Sequence, residues 1–183
     1  MSKLKNDFEC YFLLFLSLKS EKLIREFLIQ KINVNEESIE RNMHLTIYYG
    51  RRKLPIDMGQ SFLSIDSDVT ETRFMVLAPG GENPRSDLIA SQKSIGIRLT
   101  KRNSAIPDIL KLRRQIYRHE SKFIKRQNTT DWKNAFGARN YQPHIKLLRP
   151  GTSINNDLSI IGNKFREYIK IIEFSKLVQR DKY

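Results

Sequence analysis

Two of the chain's three histidines stand in matched settings. His44-Leu-Thr46 lies within Met43-His-Leu-Thr-Ile-Tyr-Tyr-Gly50, and His144-Ile-Lys146 within Gln142-Pro-His-Ile-Lys-Leu-Leu-Arg149. Residues two apart on a strand project from the same face, so each imidazole shares its face with a side chain suited to phosphate. Imidazole titrates near neutral pH, and a pair can divide the work of proton transfer. A neutral ring takes a proton from an attacking hydroxyl or water, while a protonated ring gives one to the leaving oxygen. Thr46 can donate a hydrogen bond to a non-bridging phosphate oxygen, and Lys146 can set a point charge against the same kind of oxygen. Together these groups describe a site for phosphodiester chemistry, which depends largely on positioning and charge stabilisation. No carboxylate or third histidine stands at ligand spacing beside either strand, so neither a metal nor any other cofactor is expected.

The elements that must position these residues follow from hydrophobic spacing. In the first motif Met43, Leu45 and Ile47 form the apolar face of a strand, with His44, Thr46 and Tyr48 on the other face. In the second, Ile145 and Leu147 oppose His144 and Lys146. Glu9 to Leu18 reads as a strand buried on both faces. Ser20 reads as the N-cap of a helix whose stripe is Leu23, Ile24, Phe27, Leu28 and Ile32. Asn33 to Asn42 is a polar connection, and Arg51 to Lys53 a basic turn. Ser61 to Ile65, Thr72 to Leu77 and Ser94 to Thr100 are further strands, with a Pro/Gly-rich loop from Ala78 to Ser86.

Pro107 opens a long helix with Ile109, Leu112, Ile116 and Phe123 inward. Lys111, Arg113, Arg114, Arg118, Lys122, Lys125 and Arg126 form its basic exposed side, and His119 falls at the edge of the core stripe. Gln127 to Asn140 is irregular, anchored by Trp132. Asn156 or Asp157 caps a last helix carrying Leu158, Ile161, Phe165 and Tyr168, and Ile169 to Val178 closes the chain as a strand.

The chain has 183 residues, enough for one domain with a core, and no linker separates independent units. Its net charge of +13 favours polyanionic partners, nucleic acid first. The single cysteine, Cys10, excludes an internal disulfide and reads as a buried, inert thiol. The apolar run Tyr11 to Leu18 is too short to span a bilayer, follows Asp7 and Glu9, and has no small-residue cleavage site after it. A cytoplasmic protein without a membrane segment is expected.

With the order of elements added, the two motifs resemble the paired signatures of the two-histidine phosphoesterases. That superfamily includes the 2′-5′ RNA ligase-like proteins and cyclic nucleotide phosphodiesterases. His44-Leu-Thr46 followed by Ile-Tyr-Tyr-Gly50 looks like the first signature. Gln142-Pro-His144-Ile-Lys146-Leu-Leu-Arg149 looks like the second, and the chain closes near a tyrosine, Tyr183. The order of strand and helix patterns fits an α+β fold, and the resemblance adds two pseudo-symmetric lobes within a single domain spanning residues 1–183. Antiparallel sheets would carry helices on their outer faces and enclose a central groove. It also implies metal-free cleavage of 2′,3′-cyclic phosphates, of 2′-5′ linkages in RNA, or of cyclic oligonucleotides; a monomer is expected.

In this frame His44 and His144 are general acid and base in either order, and Thr46 and Lys146 clamp the phosphate. Tyr48 and Tyr141 are expected to stack on bases or line the groove, and Arg139 and Arg149 to steer the anion. Lys146 replaces the hydroxyl residue usual in the second signature. A second reading is therefore a nucleic-acid-binding module that kept the groove and lost turnover.

Overall fold

The computed structural model describes residues 10–50, 61–78, 85–123 and 141–181. Arg51 to Lys53, the centre of the Ala78–Ser86 loop, Lys125, Arg126, Trp132, Arg139 and Tyr183 lie outside them. Seven strands form one sheet: β1 Cys10–Leu16, β2 His44–Gly50, β3 Ser61–Asp68, β4 Thr72–Leu77, β5 Ser94–Leu99, β6 His144–Leu148 and β7 Ile171–Asp181. The helices are α1 Leu18–Gln30, α2 Ile106–Phe123 and α3 Leu158–Tyr168. Strand order is β3-β7-β1-β2-β6-β5-β4, with every neighbouring pair antiparallel. The fold is thus α+β, and no helix among the described residues is long and apolar enough to cross a membrane.

Where sequence reasoning expects separate sheets, the hydrogen-bonded ladder is continuous. Its two parts, β3-β7-β1-β2 and β6-β5-β4, meet through one register pair, Leu45 with Ile145. Beyond that seam β6 takes a different neighbour. Ile39 bridges Leu148, Glu40 N donates to the Leu147 carbonyl (2.8 Å), and Arg149 N donates to the Ser38 carbonyl (2.9 Å).

Most positions of the apolar stripes predicted for the helices enter one core, while Tyr168 at the end of the last stripe is exposed. Ile24, Phe27 and Leu28 of α1, Ile109 and Ile116 of α2, and Ile161 and Phe165 of α3 join Leu45, Ile47, Ile145 and Leu147 from the strands. Phe165 packs edge-on against Phe27 and Phe74, with ring centroids 5.4 and 5.8 Å apart. Each such side chain contributes roughly 1.5–3 kcal/mol by leaving water. The helices therefore cover one face of the sheet and leave the face of His44 and His144 open.

Two local readings are corrected. The N-cap of α1 is Ser17, whose hydroxyl accepts from Ser20 N (3.1 Å), because the strand ends earlier than its apolar run suggests. Ser20 lies inside the helix, and its hydroxyl accepts from Glu173 N (2.9 Å). Arg113, assigned to the exposed basic side of α2, is only 2% exposed, and Glu120 on the same helix is fully buried. Asp157 is the cap of α3, accepting from Ser159 N (2.8 Å).

Candidate active site

The open face carries a cavity of about 400 Å³. His44, Thr46, His144 and Lys146 all line it, with Glu40, Tyr11, Leu13, Tyr49 and Arg180. The seam explains why the four predicted residues meet. Around the Leu45–Ile145 pair, antiparallel register sets His44 across from Lys146 and Thr46 across from His144. The apolar residue between each motif pair points into the core, so the polar side chains are left on the cavity side.

Both imidazoles are latched in the same way. His44 Nδ1 donates to the Asn42 carbonyl (2.8 Å), and His144 Nδ1 donates to the Gln142 carbonyl (2.9 Å). A carbonyl only accepts, so Nδ1 carries hydrogen in each ring and Nε2 is the basic nitrogen of the neutral form. Different backbone devices precede the two rings. Asn42 is left-handed, with φ of 53°, a conformation asparagine tolerates better than most residues. Pro143 has its own φ fixed by its ring.

Burial is the main cause lowering the pKa of both histidines below 6.5. The latches oppose it, and Lys146 lowers both further. Their remaining surroundings differ. His44 feels Arg180, which lowers its pKa and is partly offset by the Glu40 carboxylate. His144 feels Arg98 and His44, both lowering, and no carboxylate of the described residues stands among the causes acting on it.

The wall beside His44 is aromatic. The Phe15 ring lies 5.5 Å from the imidazole, Arg180 sits 5.5 Å over the Phe15 ring, and Tyr11 meets Tyr49 edge-on at 5.4 Å. Tyr49, rather than Tyr48, lines the cavity because β2 is bulged. Phe12 pairs with Tyr48 but Leu13 pairs with Thr46, leaving Ile47 as the extra residue. Alternation slips by one there, so Tyr48 points into the core, 1% exposed.

A buried polar group holds that bulge from behind. Arg113 donates to the Ile47 carbonyl, and its guanidinium lies 3.9 Å from the Tyr141 ring centroid and 5.7 Å from that of Tyr48. Tyr48 donates to Glu120 Oε1 (3.2 Å), and Tyr141 donates to the Thr46 carbonyl (2.9 Å). Tyr48 and Tyr141 are thus positioned to brace the strand, not to line the cavity. Burial pushes the Tyr141 hydroxyl up, so it stays a donor to that carbonyl.

The second motif strand also carries a bulge. Ile95 pairs with Leu148 but Gly96 with Lys146, so Leu147 is the extra residue. A Cβ at position 96 would collide with the Ile145 carbonyl oxygen, so only glycine allows this approach. Arg149 is exposed beyond the end of β6 and does not line the cavity. Arg139 lies outside the described residues.

Tyr11, Leu13, Glu40, Tyr49 and Arg180 escape sequence reasoning. Arg180 lies past the predicted end of the last strand, and Glu40 sits in a connection that reads as solvated loop. Only alternation along Tyr11, Leu13 and Phe15, hidden within a continuous apolar run, signals the β1 contribution. Among the described residues no three His, Cys, Asp or Glu side chains converge as a metal site requires. The described lining of the cavity thus offers two basic ring nitrogens, the Thr46 hydroxyl, two cationic side chains, one carboxylate and the wall of Tyr11 and Tyr49. No protein-family model matches this chain, and no curated protein matches it in sequence.

Proposed function

We propose that this chain is a metal-independent phosphodiesterase of the two-histidine type, acting on RNA ends with 2′,3′-cyclic phosphate or on 2′-5′-linked or cyclic oligonucleotides. The observation that carries the reading is the pair of identically latched imidazoles lining one cavity with Thr46 and Lys146. Its resemblance to the two-histidine phosphoesterases lies in His44-Leu-Thr46 and Pro143-His144-Ile-Lys146 in this order. In that family's terms the parts of the sheet on either side of the Leu45–Ile145 seam are two lobes, and the cavity is the groove between them.

Glu40 suits His44 to hold the extra proton as general acid, and the cationic surroundings of His144 suit it to act as base. His144 Nε2 takes the proton of an attacking water as oxygen bonds to phosphorus. His44 Nε2–H gives its proton to the leaving sugar oxygen as the P–O bond breaks. Thr46 and Lys146 stabilise charge on the non-bridging oxygens.

A binding module without turnover is the second reading, favoured by one observation. Both imidazoles are substantially buried beside Lys146, which lowers their pKa and disfavours the protonated acid. The deciding test offers 2′,3′-cyclic nucleotides, 2′-5′ oligoadenylates and cyclic oligonucleotides, with chelator present, to the wild type and to His44→Ala and His144→Ala. Turnover abolished in both variants supports the enzyme. Salt-sensitive binding without turnover, from pH 5 to 8, supports the module.

A further inference from the structure

A second cleft lies beside β4, with a volume of about 360 Å³. Arg73, Arg98 and Arg166 line it, and among the described residues no aspartate or glutamate does. Arg166 is held in place: Nη1 donates to the Thr72 carbonyl (3.1 Å) and Nη2 to Asn163 Oδ1 (2.6 Å). Gly162 keeps that arrangement open, because a Cβ there would stand 3.3 Å from Phe74 Cβ and 3.4 Å from Arg166 Nη1. Three guanidinium groups lining one cleft make it favourable for an anion, whose oxygens the planar N–H donors can meet.

The sheet connects this cleft to the histidines. Arg98 is the register partner of Arg73 on one side and of His144 on the other. Directly opposed residues share a face, so Arg73, Arg98 and His144 form one cross-strand row. Strand spacing puts the backbone ends of that row about 10 Å apart, more than one phosphate-to-phosphate step of a nucleotide chain, so a ligand reaching both ends must be longer than a mononucleotide.

We infer that the arginine cleft is a subsite for a second phosphate, so that the ligand is an oligonucleotide chain rather than an isolated cyclic mononucleotide. This deepens the function proposed above and rests on a phosphate being bound between His44 and His144. The chain runs from the imidazoles across Arg98 and Arg73 on the open face and reaches Arg166 at the edge strand β4, with one phosphate in each cavity.

Fluorescence anisotropy of a labelled oligoadenylate tetranucleotide, competed by the tetranucleotide and by a 2′,3′-cyclic mononucleotide, tests this without relying on catalysis. The wild type binds the tetranucleotide more tightly. Arg73→Glu narrows the ratio between the two ligands roughly tenfold, and its log-affinity against log-salt slope flattens by about 0.7 per lost phosphate contact. Lys19→Glu, the same charge change on an exposed position of α1, leaves the ratio as in the wild type.

Equal effects of the two substitutions, or no preference for the longer ligand in the wild type, overturn the subsite. Arg73-dependent binding without turnover refutes the proposed activity and keeps the subsite. Turnover without length preference does the reverse.

Discussion

His44 and His144 donate the same hydrogen bond, each from Nδ1 to the carbonyl two residues upstream, at 2.8 and 2.9 Å. The two rings therefore share one tautomer and offer the same nitrogen to a ligand. Replacing either with alanine is expected to lower kcat by about 10²–10⁴, the usual worth of a positioned acid or base. Steady-state kinetics with a 2′,3′-cyclic substrate checks this. Circular dichroism should show both variants folded, since neither ring belongs to the core.

The pH dependence of activity follows from Glu40 and Lys146. Glu40 raises the pKa of His44, so Glu40→Gln should move the alkaline limb of kcat/KM to lower pH. A shift of the acid limb instead would reverse the roles given to the two histidines. Lys146 lowers both histidines, so Lys146→Thr should carry both limbs to higher pH while raising KM through loss of the phosphate contact.

Stability should respond to the same groups. Because both folded-state pKa values lie below 6.5, the unfolded chain binds more protons in the window beneath that value. The contribution is complete above about pH 6.5 and is lost as pH falls through the folded-state values. Thermal unfolding should show Tm declining on acidification from pH 6.5, with a shallower decline in His144→Gln. An unchanged slope in that variant would remove the assigned cause.

Tyr48 and Tyr49 are adjacent but should fail differently. Tyr48→Phe leaves Glu120 without that donor in a fully buried place and should cost about 1–3 kcal/mol in denaturant unfolding. Tyr49→Ala should leave stability nearly intact and weaken ligand binding, by about 1–3 kcal/mol if a base stacks on it. Urea titration and anisotropy on both variants separate the two roles.

Gly96→Ala drives a methyl group into the Ile145 carbonyl, so β6 must shift. The expected cost is about 1–3 kcal/mol, typical of overpacking. Because His144 and Lys146 ride on that strand, kcat should also fall, although the substituted residue touches no ligand.

The four central residues were legible in the sequence because alternation alone fixes their face, and both motifs keep strict alternation from histidine to its partner. The α+β class followed from the 3.6- and 2-residue periods. What escaped was decided by contacts between distant segments. The Ile47 bulge reversed Tyr48 and Tyr49, and it depends on how β1 pairs with β2. Arg113 reads as one more cation on a basic helix until the bulge presents a carbonyl for it to meet. Tyr141 resembles a stacking residue, yet its hydroxyl reaches the Thr46 carbonyl. Glu40 enters the cavity because Ser38 to Glu40 takes up pairing with β6 where β2 leaves off.

The seam between β2 and β6 has a mechanical consequence. Backbone pairing there is one register pair with the Ile39–Leu148 bridge beyond it, so the apolar layer behind the sheet, where α1 and α3 meet at Phe27 and Phe165, helps to set the separation of the two imidazoles. That layer works as the spring of a clothes-peg, remote from the jaws yet setting their gap. Trimming Phe165 to leucine should loosen the jaws, seen as faster amide hydrogen exchange at Leu45 and Ile145 before any global unfolding.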